Sequence, residues 1–246
     1  MVFTERSFKL VWGILKGNIM GRKRHLHLFK ERITLSNYET LTKELLDAVN
    51  GGEGSLKKLL FDTEMPDEYS KHGKYKEGQH NRCSGLRGDR FTEKRLCKCM
   101  YYQSSNVTTK CEQCDFKNRF DVVGKYKIVD YEVPAYYFGD GIGEIDLIIG
   151  DGEFRYATEI KPYKNNNETL LRMIAEIMTY TAGYPKGTYK KAIAFFGKNP
   201  ENGESTVQQK EYEKENPLIR ELLNKADITV FRFERIDEKR YEICKL

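Results

Sequence analysis

Residues 143–161 read GEIDLIIGDGEFRYATEIK, two apolar-rich runs hinged at Asp151-Gly152. Asp-Gly between alternating runs signals a two-residue hairpin turn, because the pair tolerates the positive φ angles such turns need. With Asp151 and Gly152 as the loop, Gly150 pairs with Glu153 and pairing continues outward. Ile145, Leu147 and Ile149 then share an apolar face with Phe154, Tyr156, Thr158 and Ile160. Glu144, Asp146, Glu159 and Lys161 fall on the other face. In that register Asp146 faces Ala157, and Glu159 is its diagonal neighbour at roughly 7–8 Å between α-carbons.

Working outward, 126–133 reads as a strand ahead of the hairpin, whose arms are 144–149 and 154–160. An amphipathic helix follows at 168–181, then an apolar strand at 190–196. Residues 207–224 read as a charged helix interrupted by Pro217, and 228–234 as a last strand. This β-β-β-α-β-α-β order predicts an α/β domain with a mixed β-sheet flanked by helices. Upstream, Tyr38, Leu41, Leu45 and Val49 recur at helical spacing, with a cap at Ser36 or Asn37 and Gly51-Gly52 as the stop. A second short helix is expected at 56–61. Residues 64–95 lack a clear period and fit either a functional loop region or a weakly amphipathic helix. The chain thus divides into a basic N-terminal helical region (1–95), a cysteine element (96–120) and a core (121–246).

The polar hairpin face carries chemistry. Two carboxylates at diagonal positions can reach toward one cation, and carboxylate oxygens suit Mg²⁺ or Mn²⁺. Lys161, two residues beyond Glu159, can orient an attacking water or offset charge on a phosphorane-like transition state. The plain alternative is a pair of unrelated surface carboxylates and a solvated lysine at a strand end.

Gly143-x-Ile145-Asp146 followed by Glu159-x-Lys161 resembles the PD-(D/E)XK nuclease superfamily, and Gly-x-Ile-Asp-Leu resembles its RecB-type exonuclease branch. Ile145 stands in the place of the motif's Pro. The resemblance spans residues 126–235 and implies a restriction-endonuclease-like αβββαβ core that hydrolyses DNA phosphodiesters with one or two Mg²⁺ ions. It implies Asp146, Glu159 and the Ile160 carbonyl as metal ligands and Lys161 as the activating group. That branch continues with a helix bearing Gln-x-x-x-Tyr, and here Glu176 and Tyr180 occupy the place, one turn apart on a helix edge. For Glu176 a solvent-facing charge near Arg172 is the alternative. The family also supplies an acid or histidine from a helix ahead of the first strand. Glu44, Glu68, Glu77, His72 and His80 are eligible, and the sequence does not choose among them.

Cys97, Cys99, Cys111 and Cys114 form two close pairs that can wrap a structural Zn²⁺, although the first pair is tighter than the usual Cys-x-x-Cys. Free thiols in a reduced cell are the alternative. Around them lie Arg82, Arg87, Arg90, Lys94, Arg95, Lys98, Lys110, Lys117 and Arg119, interleaved with Phe91, Tyr101, Tyr102, Phe116 and Phe120. Such a mixture can hold phosphates and stack on bases. A structural staple without nucleic-acid contact is the competing reading.

Charge supports the same direction. Residues 1–125 carry 24 Lys+Arg against 16 Asp+Glu, and residues 126–246 carry 18 against 21. A basic front half suits a polyanion, though a solvated basic surface produces the same asymmetry. Apolar residues make up 39% of the 246 and no run is long enough to span a membrane. Glu5 and Lys9 interrupt the N-terminal stretch, which makes it a poor signal peptide and points to the cytoplasm. The expected partner is nucleic acid, in the first place DNA, with a homodimer as one arrangement. A non-catalytic nucleic-acid-binding protein is the alternative function.

Overall fold

The computed structural model describes residues 28–61, 75, 78, 80, 91–104, 120–136, 142–164 and 166–246. The helices there are α1 (Tyr38–Asn50), α2 (Glu53–Leu60), α3 (Glu93–Ser104), α4 (Leu170–Thr181), α5 (Val207–Glu213) and α6 (Pro217–Lys225). The strands are β1 (Asp121–Val123), β2 (Lys127–Pro134), β3 (Glu144–Gly150), β4 (Arg155–Lys161), β5 (Lys190–Phe196), β6 (Ile228–Arg235) and β7 (Arg240–Lys245). They form one mixed sheet in the order β1-β7-β6-β5-β4-β3-β2. β2, β3 and β4 are antiparallel neighbours, while β4, β5 and β6 run parallel. Parallel strands need a crossover; α4 supplies the first, and α5 with α6 the second.

The hairpin forms, but in a different register. Gly150 lies opposite Arg155 rather than Glu153, and Leu147 opposite Thr158. Asp151 causes the change: its Oδ1 accepts the amides of Glu153 (3.1 Å) and Phe154 (2.8 Å), closing a turn over 151–154. Gly152 takes the left-handed φ of +94° inside it. A slip of two residues leaves every side chain on its own face, because the strand period is two. Continued one step, the observed register sets Asp146 directly across from Glu159 instead of diagonal to it.

Other elements also depart from the sequence reading. Pro217 does more than interrupt a helix: it opens α6 at the first position, capped by Asn216, where its missing N–H costs nothing. The 228–234 strand is not the last, since β7 folds back against β6 in an antiparallel pair. Asp237 builds the intervening turn by accepting the amides of Lys239 and Arg240, both at 2.9 Å. Most of the 96–120 segment that is described is helix α3, which starts three residues earlier, at Glu93.

The sheet must curl. Seven strands about 4.8 Å apart would separate β1 and β2 by about 29 Å if flat, yet the four steps from Val123 to Lys127 span at most about 14 Å. The curl brings Tyr126 against Phe231 of β6 (ring centroids 4.9 Å) and Tyr156 of β4 (6.3 Å). Ala192 and Ala194 of central β5 leave room inside the curl for Phe196, Phe231, Phe233 and Tyr241. Helix α3 packs into the same inner core through Leu96, Cys99 and Met100.

The outer face is covered by α4, with α1, α2 and α6 beyond it, and by the short turn Phe29–Arg32. The described part of the N-terminal region therefore shares the core of the sheet. Ile145, two residues after left-handed Gly143, is the exception on its strand and packs with this outer core rather than beside Leu147. Phe154, expected on the apolar face, sits in the turn and is exposed. Because α4 is enclosed on all sides, its polar residues Glu176 and Thr179 are buried too. No helix among the described residues is long and apolar enough to cross a membrane.

Candidate metal centre

Where β3 and β4 emerge between α3 and α4, a cavity of about 280 Å³ gathers carboxylates. Asp146 comes from β3, Glu159 and Lys161 from β4, and Glu176 and Tyr180 from α4. Glu93 enters from the first turn of α3 and Glu168 from just ahead of α4. Larger hollows beside β6 (470 Å³) and between α1 and α5 (940 Å³) gather no such cluster. One carboxylate oxygen each from Glu93, Asp146 and Glu159 lie within 4.8 Å of one another.

Lys161 is the hub. Its ammonium lies 2.6 Å from Glu159, 2.9 Å from Glu168, 3.1 Å from Glu93 and 3.2 Å from Glu176. Three ammonium protons cannot serve four carboxylates. Hydrogen bonds reach Glu159 and Glu93, while the Oε2 atoms of Glu168 and Glu176 have the charge nearby without a hydrogen bond. Glu159 Oε2 has no hydrogen-bond partner either, on a residue only 2% exposed. Arg172 supports Glu176 at 3.3 Å and Glu168 at 3.5 Å, and Lys30 stands 4.0 Å from Glu176. Five carboxylates thus face three cations, Lys161, Arg172 and Lys30, a shortfall of two positive charges.

The electrostatics follow from this crowding. Burial, and then the neighbouring Glu93 carboxylate, push Asp146 from 3.8 up to about 8. Burial and then Asp146 push Glu159 well above the ordinary carboxylate range. Burial also raises Glu93. Glu176 behaves oppositely: burial disfavours its charge, but Lys161 holds it below the ordinary range. Burial works against the Lys161 ammonium, and Glu159, Glu176, Asp146 and Glu93 more than restore it. At the rim, Lys94 bridges Glu132 (2.8 Å) and Glu144 (3.7 Å).

The donor set is all oxygen, and an orphaned buried carboxylate oxygen points into it. Hard divalent cations with several retained waters fit such a site. Asp146 is held by the Ile160 amide, which donates to its Oδ2 at 3.0 Å. In a strand, the N–H and C=O of one residue project to the same edge. The Ile160 carbonyl therefore also faces the β3 side.

Asp146, Glu159, Lys161, Glu176 and Tyr180 are brought together as the sequence suggested. Glu176 is no solvent-facing charge, being 4% exposed, although Arg172 is indeed its neighbour. The further carboxylate that meets Asp146 and Glu159 is Glu93, which was not among the eligible residues. Glu44 instead pairs with Arg32 on the surface, and His80 is bound to the buried Asp130; Glu68, His72 and Glu77 lie outside the described residues. A signal for Glu93 existed in Thr92, whose hydroxyl accepts the Arg95 amide at a helix start, with Leu96 and Met100 at helical spacing behind it.

The cysteine and aromatic readings change as well. Cys97 lines the carboxylate cavity one turn after Glu93. Cys99, two residues on, points about 200° away around the helix. Cys111 and Cys114 lie outside the described residues. Phe91, Tyr101, Tyr102 and Phe120 are core residues, each under a tenth exposed, and present no surface for bases; Phe116 is outside the described residues. Comparison with known proteins finds no matching family model, no matching curated protein and no matching solved structure.

Proposed function

We propose that the chain is a divalent-metal-dependent nuclease that hydrolyses DNA phosphodiester bonds, of the restriction, repair or recombination type and similar in plan to the PD-(D/E)XK superfamily. The observation that carries this reading is the orphaned Glu159 Oε2, buried against Asp146 and Glu93 and short of positive charge. The succession α3, β2, β3, β4, α4, β5, with the short β1 between α3 and β2, supports it, because it contains the αβββαβ order of that superfamily's core.

Asp146, Glu159 and Glu93 would hold Mg²⁺ or Mn²⁺, with the Ile160 carbonyl as a further ligand. Bound there, the ion would lower the pKa of a water and offset charge on the scissile phosphate. Lys161 supplies the ammonium that positions the attacking water, and Glu176 with Arg172 fixes Lys161 from behind. A structural zinc would draw on Cys99, Cys111 and Cys114, because Cys97 lines the carboxylate cavity.

A second reading has one observation in its favour. Lys161 is fully engaged by carboxylates, and such a closed network can brace a non-catalytic nucleic-acid-binding protein. Incubating the purified chain with plasmid DNA, linear DNA and RNA separates the readings. The expected outcome is DNA cleavage in Mg²⁺ that a chelator stops. DNA binding without cleavage of any substrate in Mg²⁺ or Mn²⁺ would favour the binding protein.

A further inference from the structure

The ends of β5 and β6, the loop that follows β5 and the helix α5 enclose the 470 Å³ hollow beside β6. Gln209 of α5 lines it and is 6% exposed. Its amide donates from Nε2 to Glu213 Oε1 at 2.7 Å. A carboxylate only accepts, so this bond fixes which way the amide lies and turns Gln209 Oε1 elsewhere. That oxygen is buried and has no hydrogen-bond partner among the described residues. A buried acceptor without a donor costs stability, and an N–H brought by a ligand removes the cost.

The neighbouring groups say what such a ligand carries. Glu213 makes no other hydrogen bond or ion pair among the described residues, so its second oxygen is a further acceptor beside Gln209. Two adjacent acceptors match the two N–H of an exocyclic amine, while a carbonyl oxygen would meet them lone pair to lone pair. Cytosine and adenine present such an amine where thymine and guanine present a carbonyl. The same hollow is lined by Lys198, Arg232 and Arg235. Lys198 is exposed and has no carboxylate partner among the described residues. Arg235 gives its hydrogen bonds to the Pro200 and Asp237 carbonyls, both at 2.8 Å, which leaves its charge unpaired. Two cations without counter-charges suit a phosphate. Arg232 is paired with Glu234 and crosses Gly197, where a Cβ would stand 3.0 Å from its Cδ. No aromatic ring of the described residues covers its guanidinium, a plane on which a base can stack.

Sheet register places this hollow relative to the carboxylates. Arg232 of β6 lies opposite Phe195 of β5, and Phe195 opposite Lys161 of β4. Two strand spacings, about 10 Å, therefore separate Arg232 from Lys161 across the sheet. A nucleic-acid strand rising about 3.4 Å per nucleotide covers that distance in about three nucleotides. We infer that the hollow holds an unstacked cytosine or adenine of the substrate strand, its amine on Gln209 and Glu213 and its phosphate on Lys198 and Arg235. The inference rests on the nuclease reading above and names a base preference a few nucleotides from the bond that is cut.

The test is equilibrium binding of short oligo(dC) and oligo(dT) strands with Ca²⁺ in place of Mg²⁺, alongside Mn²⁺ binding without DNA. The wild-type chain is expected to hold oligo(dC) about tenfold more tightly, the worth of one correct base contact. Gln209→Met fills the same space without the acceptor, and abolishes the preference by weakening oligo(dC) alone. Lys198→Met weakens both strands alike and makes binding less steeply dependent on salt, as the loss of a phosphate contact does. Mn²⁺ affinity is unchanged in both variants, since neither residue lines the carboxylate cavity. Three results remove this inference and leave the metal site standing: a wild-type chain that holds Mn²⁺ but not oligo(dC) over oligo(dT), a preference that survives in Gln209→Met, or strand binding untouched by Lys198→Met. A wild-type chain that binds neither Mn²⁺ nor either strand overturns both.

Discussion

Lys161→Met is expected to cost the metal-free protein about 3–5 kcal/mol of stability at pH 8, the usual consequence of removing one partner from a buried ion pair. Lys161 is 3% exposed and is the shared cation of Glu93, Glu159, Glu168 and Glu176. Without it those carboxylates must stay charged and uncompensated, or take up protons. The loss is therefore smaller at pH 5, where protonation comes more easily. Mg²⁺ restores part of it by supplying positive charge to the same cavity. Cleavage falls at least about a hundredfold, as for the loss of one electrostatic stabiliser of the transition state. Urea unfolding at the two pH values, each with chelator and with Mg²⁺, reads the first part. A loss independent of both pH and metal would show that Lys161 acts as packing, not as the counter-charge of the cluster.

Metal affinity should climb steeply with pH through neutrality. Asp146 is raised from 3.8 to about 8, chiefly by burial and then by Glu93, so at neutral pH the metal-free site holds a proton that an incoming cation must displace. Glu159, raised well above the ordinary range, must give up its proton as well, so the slope is at least about tenfold in affinity per pH unit below that value. The stability of the metal-free protein moves the other way. Its folded state binds a proton that the unfolded chain releases above the ordinary aspartate range, so stability falls as pH rises from about 4 to about 8. Saturating Mn²⁺ removes that decline. Calorimetric Mn²⁺ titrations at several pH values check the slope, and a flat affinity between pH 6 and pH 8 would mean that Asp146 is already ionised without metal.

Sequence pattern made the sheet centre legible and its ends obscure. The 190–196 run is β5 to the residue, its 192–196 stretch being the continuous apolar run that a buried parallel strand needs. β7 escaped because its charged residues Arg240, Glu242 and Lys245 mask the alternation of buried Tyr241 and Ile243. Helix α3 is obscured for another reason: two cysteines within a basic segment are also a zinc signal, and it competes with the Leu96–Met100 spacing. The cost was Glu93, a cavity residue that reaches Asp146 and Glu159 from a different element.

The hairpin teaches a narrower lesson. Asp151-Gly152 announced a turn correctly, but the Asp151 carboxylate captured two amides and widened it. Asp146 and Glu159 stayed on a common face only because the slip was an even number of residues. Lys30 was beyond reach from sequence. It lies 146 positions before Glu176 and faces it only because the Phe29–Arg32 turn packs on α4.

The acidic cavity is the centre of the account, and calorimetric titration with Mn²⁺ at pH 8 tests it most directly. The wild-type chain is expected to bind one ion there, and Asp146→Asn or Glu159→Gln to lose that binding while remaining folded. Absence of binding by the wild type, or equal binding by both variants, would contradict it.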